Sequence, residues 1–203
     1  METFMRFAPV PVALPGLVAL SVGLLAFLYV LLLARARGRR APRSADSGRR
    51  NASLGWILVQ GFGIAVAGLG PIVTTRGSVS PLALASAAVV LLLMLAAAAL
   101  FDSASRTMGR NWALVARTRG DGTLVETGPF AYVRNPIYAA LLLILLALAL
   151  ACGHFANLVV ALPVFALGTA MRIRHEEAVL RAAFGAAYDR YAARVKRFVP
   201  GVF

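Results

Sequence analysis

Two short stretches hold most of the polar side chains that could do chemistry in this sequence. The first lies in residues 123–138, where Tyr132, Arg134, Asn135 and Tyr138 gather around Pro136. Gly128-Pro129 is turn chemistry, and Asn135-Pro136 reads as a helix start with proline at the first helical position. Such a helix end presents unpaired N–H groups and a partial positive charge, suited to a carboxylate or to hydroxyls. The second stretch is Arg172-Ile173-Arg174-His175-Glu176-Glu177. Arg172 and Glu176 are four apart and share a helical face, as a simple ion pair would. Adjacent carboxylates beside a membrane are nevertheless costly unless they bind something. Other candidates fall away. Gly61-Phe62-Gly63 with Gly68 and Gly70 lacks the spacing of a dinucleotide loop and follows no strand; small residues there suit close helix packing. His154 and His175 are too far apart in the chain to suggest a metal centre, and the single Cys152 reads as a small apolar filler.

An apolar scaffold must position these patches. The chain has 203 residues, of which 60% are hydrophobic and 14% charged, against roughly half and a quarter in a soluble domain. A soluble globule and a disordered chain are both excluded. The runs 10–34, 52–75 and 77–101 hold no charge except at their borders, and each reaches the roughly 20 residues that cross a bilayer. A fourth run, 136–171, is interrupted near Gly153-His154 and holds two helices of about 17 residues, a helical hairpin. The expected fold is an all-α integral membrane protein of about five transmembrane helices, the last two a hairpin. From Arg172 onward Leu180, Phe184, Tyr188, Tyr191, Val195 and Phe198 form an apolar helical stripe, adding a C-terminal cytoplasmic or interfacial helix.

The net charge of +13 would suggest nucleic acid, but its distribution says otherwise. Seven arginines fall in 35–50, five in 106–134, and seven basic residues in 172–197. With five spans these three regions share one side, which the positive-inside rule makes cytoplasmic, leaving the N-terminus outside. The expectation is a membrane partner and no nucleic acid. The first span ends in arginines and lacks a basic leader, so it is not read as a cleavable signal. Arginine makes up 20 of the 21 basic residues, which with the abundant alanine fits a bacterial inner-membrane protein. The loop 34–51 reads as a topology determinant or a contact for anionic lipid. The hairpin should also make the two polar patches neighbours.

At these residues the sequence resembles the isoprenylcysteine carboxyl methyltransferase family and, more loosely, the phospholipid N-methyltransferases. The resemblance runs from Gly109-Arg110-Asn111-Trp112 to Pro200 through Gly128-Pro129-Phe130, Tyr132-Val133-Arg134-Asn135-Pro136-Ile137-Tyr138, Glu176-Glu177 and Phe184-Gly185-Ala186-Ala187-Tyr188. It implies an integral membrane enzyme using S-adenosylmethionine. It also implies that residues 1–101 form a three-helix scaffold and 102–203 the catalytic half of one structural unit. Carried over position by position, cofactor contacts would come from Gly122, Thr123, Leu124, Val125, Phe130, Tyr132, Asn135, Pro136, Ile137, Tyr138 and Glu176. Arg172 would be the catalytic residue facing the methyl acceptor. Phe130 stands where the family often has Tyr. Asn135 stands where it usually has His, so a hydrogen-bonding role persists there but not a proton-carrying one.

The implied reaction is an in-line displacement at a sulfonium. A carboxylate acceptor is already ionised and needs only orientation and the removal of water; Arg172 could hold it by a bidentate contact. An amine or thiol acceptor would instead need Glu176 or Glu177 to help with a proton. The acceptor is expected to be a lipophilic small molecule or a lipidated one. Two alternatives remain at this stage: an NADPH-dependent sterol-reductase-like membrane enzyme, and a non-catalytic bundle that binds lipid or a partner protein.

Overall fold

The computed structural model describes residues 9–38, 47–75, 79–109 and 123–198. Among these residues six α-helices follow one another: α1 (Leu14–Gly38), α2 (Ser47–Gly68), α3 (Pro81–Met108), α4 (Pro136–Cys152), α5 (Leu158–Phe184) and α6 (Ala186–Arg194). Short 3-10 helices, Gly128–Ala131 and Phe155–Asn157, precede α4 and α5. Local chemistry sets the ends. Ser80 Oγ accepts from Ala83 N–H at 3.1 Å and Pro81 opens α3, while Pro136 opens α4 and Gly153, at φ 71°, closes it. Pro163 lies inside α5 without ending it.

Among the described residues three helical segments are long and apolar enough to cross a membrane: Leu14–Arg37, Pro81–Met108 and Phe155–Phe184. The apolar parts Gly55–Gly68 and Pro136–Cys152 are shorter. The 17 residues of α4 span about 26 Å, against about 30 Å of bilayer hydrocarbon. The five apolar segments of the sequence thus become three long helices and two shorter ones. Among the described residues the only strand-like pairings are two isolated parallel bridges, Val12 with Thr74 and Val133 with Lys196.

The hairpin is present in connection but not in packing. α4 lies chiefly against α3 and α5 against α2, and α4 and α5 touch each other sparsely. One face of α4 buries Ala140, Ile144, Ala147 and Ala151 among Ala19 and Leu20 of α1 and Val90, Met94, Ala97 and Phe101 of α3. Its other face places Leu145 and Ala149 beside Ala67 of α2 and Ala161 and Phe165 of α5. Small residues let α2 and α5 close up, as expected for the glycines of α2. A Cβ on Gly63 would lie 2.6 Å from the Phe165 backbone nitrogen.

The two ends of the bundle differ. At one, backbone and side-chain hydrogen bonds bind the connections together. Val10 N–H donates to Gly153 O at 2.8 Å, Val12 N–H to Val73 O at 2.8 Å, and Asn157 Nδ2 to both Val66 O and Leu69 O at 2.8 Å. The other end gathers all five acids among the described residues, Asp102, Glu126, Glu176, Glu177 and Asp189. There Arg37 pairs with Asp102 at 2.7 Å and joins α1 to α3.

The expected C-terminal helix is divided. Gly185, at φ 50°, ends α5 and turns the chain into α6. The apolar stripe survives the break: Tyr188, Tyr191 and Val195 form a buried cluster with Leu124, Leu180 and Phe184.

Candidate active site

The polar end of the bundle is assembled on a turn that only glycine permits. Gly128 has φ 60°, and a Cβ there would stand 2.6 Å from Thr107 Oγ1 at the end of α3. The 3-10 turn that follows presents Phe130 O to the Tyr191 hydroxyl at 2.8 Å. Arg134 N–H and Asn135 N–H then donate to Lys196 O at 2.8 Å and Arg197 O at 3.1 Å. The chain entering α4 is therefore stitched to the chain leaving α6.

Where α4 begins, Tyr138 is buried, and its hydroxyl donates to Glu176 Oε1 on α5. The Arg172 guanidinium sits 4.9 Å from the Tyr138 ring centre, a cation–π distance. Its Nη2 is 3.6 Å from Glu176 Oε1, and its Nη1 donates to Gln60 Oε1 of α2 at 2.7 Å. The two polar patches of the sequence are neighbours, joined through these three residues.

Glu177 has different surroundings. Arg197 grips it with two hydrogen bonds of 2.9 Å, Arg134 Nη1 lies 3.1 Å away and Arg181 Nη1 3.7 Å. Its side chain is 7% exposed, against 26% for Glu176. Glu177 is a structural anchor for the C-terminal segment, and Glu176 is the more exposed of the two carboxylates. Burial, with Glu177 nearby, pushes the Tyr188 phenol above its ordinary range, and burial also raises Tyr191. The hydrogen bonds to Glu177 push the Arg197 guanidinium up in the same sense.

The remaining expected site residues scatter around this cluster. Gly122 lies outside the described residues. Leu124 packs under Tyr188 and Tyr191, and Phe130 contributes its carbonyl to Tyr191. Thr123 is exposed and Val125 half-buried on the irregular run into the turn. Tyr132 is 70% exposed, outside the buried cluster. Pro136 is fully buried, and Ile137 packs towards the helix core. Asn135 does not cap α4 with its side chain; its Nδ2 donates to Arg197 O at 3.3 Å. Sequence reasoning passed over Gln60, Thr169 and the clamping role of Arg197. For Gln60 the signal was there: it is the one long polar side chain in the uncharged run 52–75.

The sequence pattern of the phospholipid methyltransferase family matches residues 84–187. That is half of the chain, and it contains Tyr138, Arg172, Glu176 and Glu177 in the arrangement just described. The chain belongs to the phospholipid methyltransferase family. The match leaves α1 and α2, with Gln60, outside it. The chain is also similar to the cobalt-zinc-cadmium resistance protein CzcN of Cupriavidus metallidurans, with 37% identity over 95 residues. That similarity spans 46% of this chain and 44% of CzcN, so this chain covers less than half the length of that relative.

Proposed function

We propose that the protein transfers a methyl group from S-adenosylmethionine to a lipophilic acceptor, with a carboxylate as the acceptor group, at the cytoplasmic face of a bacterial inner membrane. The observation that carries this reading is the meeting of Tyr138, Arg172 and Glu176 at the α4 start, inside the family-matched half of the chain. The donor set fits the cofactor. A reachable carboxylate, Glu176, suits an ammonium group, and the α4 N-terminus suits a carboxylate. The run 123–125 would add backbone polar groups, as the family resemblance implies. The bound cofactor would supply an electrophilic methyl on a sulfonium.

The chain's own residues would act by orientation. Tyr138 donates to Glu176 and so directs the carboxylate. Arg172, held between Gln60 and the Tyr138 ring, would receive an acceptor carboxylate through paired N–H groups. The partial burial of Arg172 and Glu176 limits water around them, which strengthens both interactions. No general base is needed for a carboxylate; an amine or thiol would instead pass its proton to Glu176. The topology consistent with this site has five crossings, the N-terminus outside and the C-terminus cytoplasmic. In that topology 1–101 serve as scaffold and 102–203 as the catalytic half of one unit. The arginines of 35–50 would then meet anionic lipid.

Titration of the purified full chain with S-adenosylmethionine, S-adenosylhomocysteine and NADPH tests the reading. Saturable binding of the first two, with no response to NADPH, is expected. Tight NADPH binding with silence from the sulfur ligands would overturn it.

A further inference from the structure

We propose that Gln60 of α2 is a positioning residue that holds the Arg172 guanidinium off Glu176 and so keeps that carboxylate open to a cationic group of the ligand. The proposal rests on the reading of Tyr138, Arg172 and Glu176 as the cofactor site and names what sets its geometry. Gln60 is 2% exposed and its neighbour Thr169 3% exposed. A buried amide without partners is costly, and this one is bonded at both ends. Its Nε2 donates to Thr169 Oγ1 at 2.6 Å, and its Oε1 accepts from Arg172 Nη1 at 2.7 Å. A guanidinium can only donate, so chemistry sets which way the amide faces. The backbone is equally constrained: a Cβ on Gly168 would stand 2.7 Å from Gln60 N and 2.9 Å from its Cα.

Two of the partners of Arg172 stand in an unexpected order of distance. The neutral amide is at 2.7 Å and the carboxylate at 3.6 Å, beyond the roughly 2.7–2.9 Å of a charge-assisted hydrogen bond. A carboxylate is intrinsically the stronger partner, and Glu176 is one helical turn away on the same face. Without the Gln60 bond the guanidinium has less to keep it from closing on that carboxylate. Gln60 prevents this without adding a charge of its own, so Glu176 keeps its negative charge for an ammonium group. Because α2 precedes the family-matched residues 84–187, the matched half is completed by a side chain it does not contain.

Released from Gln60, Arg172 should fall onto Glu176 and compete with the ligand's cation. Calorimetric titration of the full chain in lipid nanodiscs with S-adenosylhomocysteine reads this as a double-mutant cycle. Gln60→Leu is expected to weaken binding about tenfold in the wild-type background. With Arg172→Leu already present the same change should cost less than about twofold, because the competitor is gone. Equal losses in both backgrounds, or no loss in the first, would overturn the proposal. Gln60→Glu leaves no cavity and holds Arg172 at least as firmly, so it should bind within about twofold of wild type; a tenfold loss would also overturn it. If the wild-type chain binds no S-adenosylhomocysteine, the functional reading fails first. Positioning is then read alone from the rate of phenylglyoxal labelling at Arg172, mapped by peptide mass spectrometry. Gln60→Leu should change that rate about threefold or more, and an unchanged rate counts against the proposal.

Discussion

Glu176 and Glu177 are adjacent in the chain, but about 100° of helical rotation gives them opposite tasks. Glu176 faces Tyr138, whereas Glu177 lies under Arg134 and Arg197. Glu176→Gln should therefore weaken S-adenosylhomocysteine binding about tenfold or more while leaving the thermal midpoint nearly unchanged, since its partners are few. Glu177→Gln should do the reverse. It strands the largely buried Arg134 and frees Arg197, costing about 3 kcal/mol, seen as a lowered thermal midpoint and earlier proteolysis of the C-terminal segment. Tyr188 and Tyr191 add a pH dependence. Their folded-state pKa values are raised, so their contribution is complete below the unfolded value of about 10 and declines as pH rises above it. Thermal melts from pH 8 to pH 11 should fall above about pH 10, and less steeply in a Tyr188→Phe, Tyr191→Phe double variant. An undiminished slope in that variant would assign the decline elsewhere. At this scale Arg172 and Glu176 were legible from their four-residue spacing alone. Gln60 stood out as polar in its run but its role did not, because that role lies in a contact 112 positions away in sequence that no periodicity records.

Elements were legible where their ends carry stereochemistry. Pro136 and Gly153 bound α4 as the sequence indicated, because a fixed φ and a left-handed φ leave little choice. The splaying of α4 from α5 was hidden for a complementary reason. A helix apolar on every side shows no preferred face, so its pattern cannot name its neighbour. The break at Gly185 was hidden too, since the apolar stripe continues through it and only the positive φ interrupts it. The turn before α4 can be tested as an element. Gly128→Ala meets both a positive φ and the Thr107 hydroxyl, and should cost about 1–3 kcal/mol. Adding Thr107→Ala removes the contact but not the strained dihedral, so stability should return only in part. Full recovery in the double variant would show that sterics alone demand the glycine.

Orientation belongs to the molecule as a whole. In a Cys152→Ala background, Val79→Cys lies beyond the tied end and Arg190→Cys on the polar end, both exposed. An impermeant maleimide should label the first in intact bacterial cells and the second only after the membrane is opened; the opposite pattern would invert the proposed topology. The tied end matters in another way. α4 and α5 share little contact along their length, yet their polar ends must meet within a hydrogen bond at Tyr138 and Glu176. They behave as two legs of a compass pivoted at Gly153–Asn157. Over a leg of about 26 Å, an angular error of about 5° at the pivot becomes about 2 Å at the tips, enough to part the two side chains. The Val10 bond to Gly153, the two Asn157 bonds and a glycine whose Cβ would strike Val10 O thus set the tolerance of the site from the far end of the bundle.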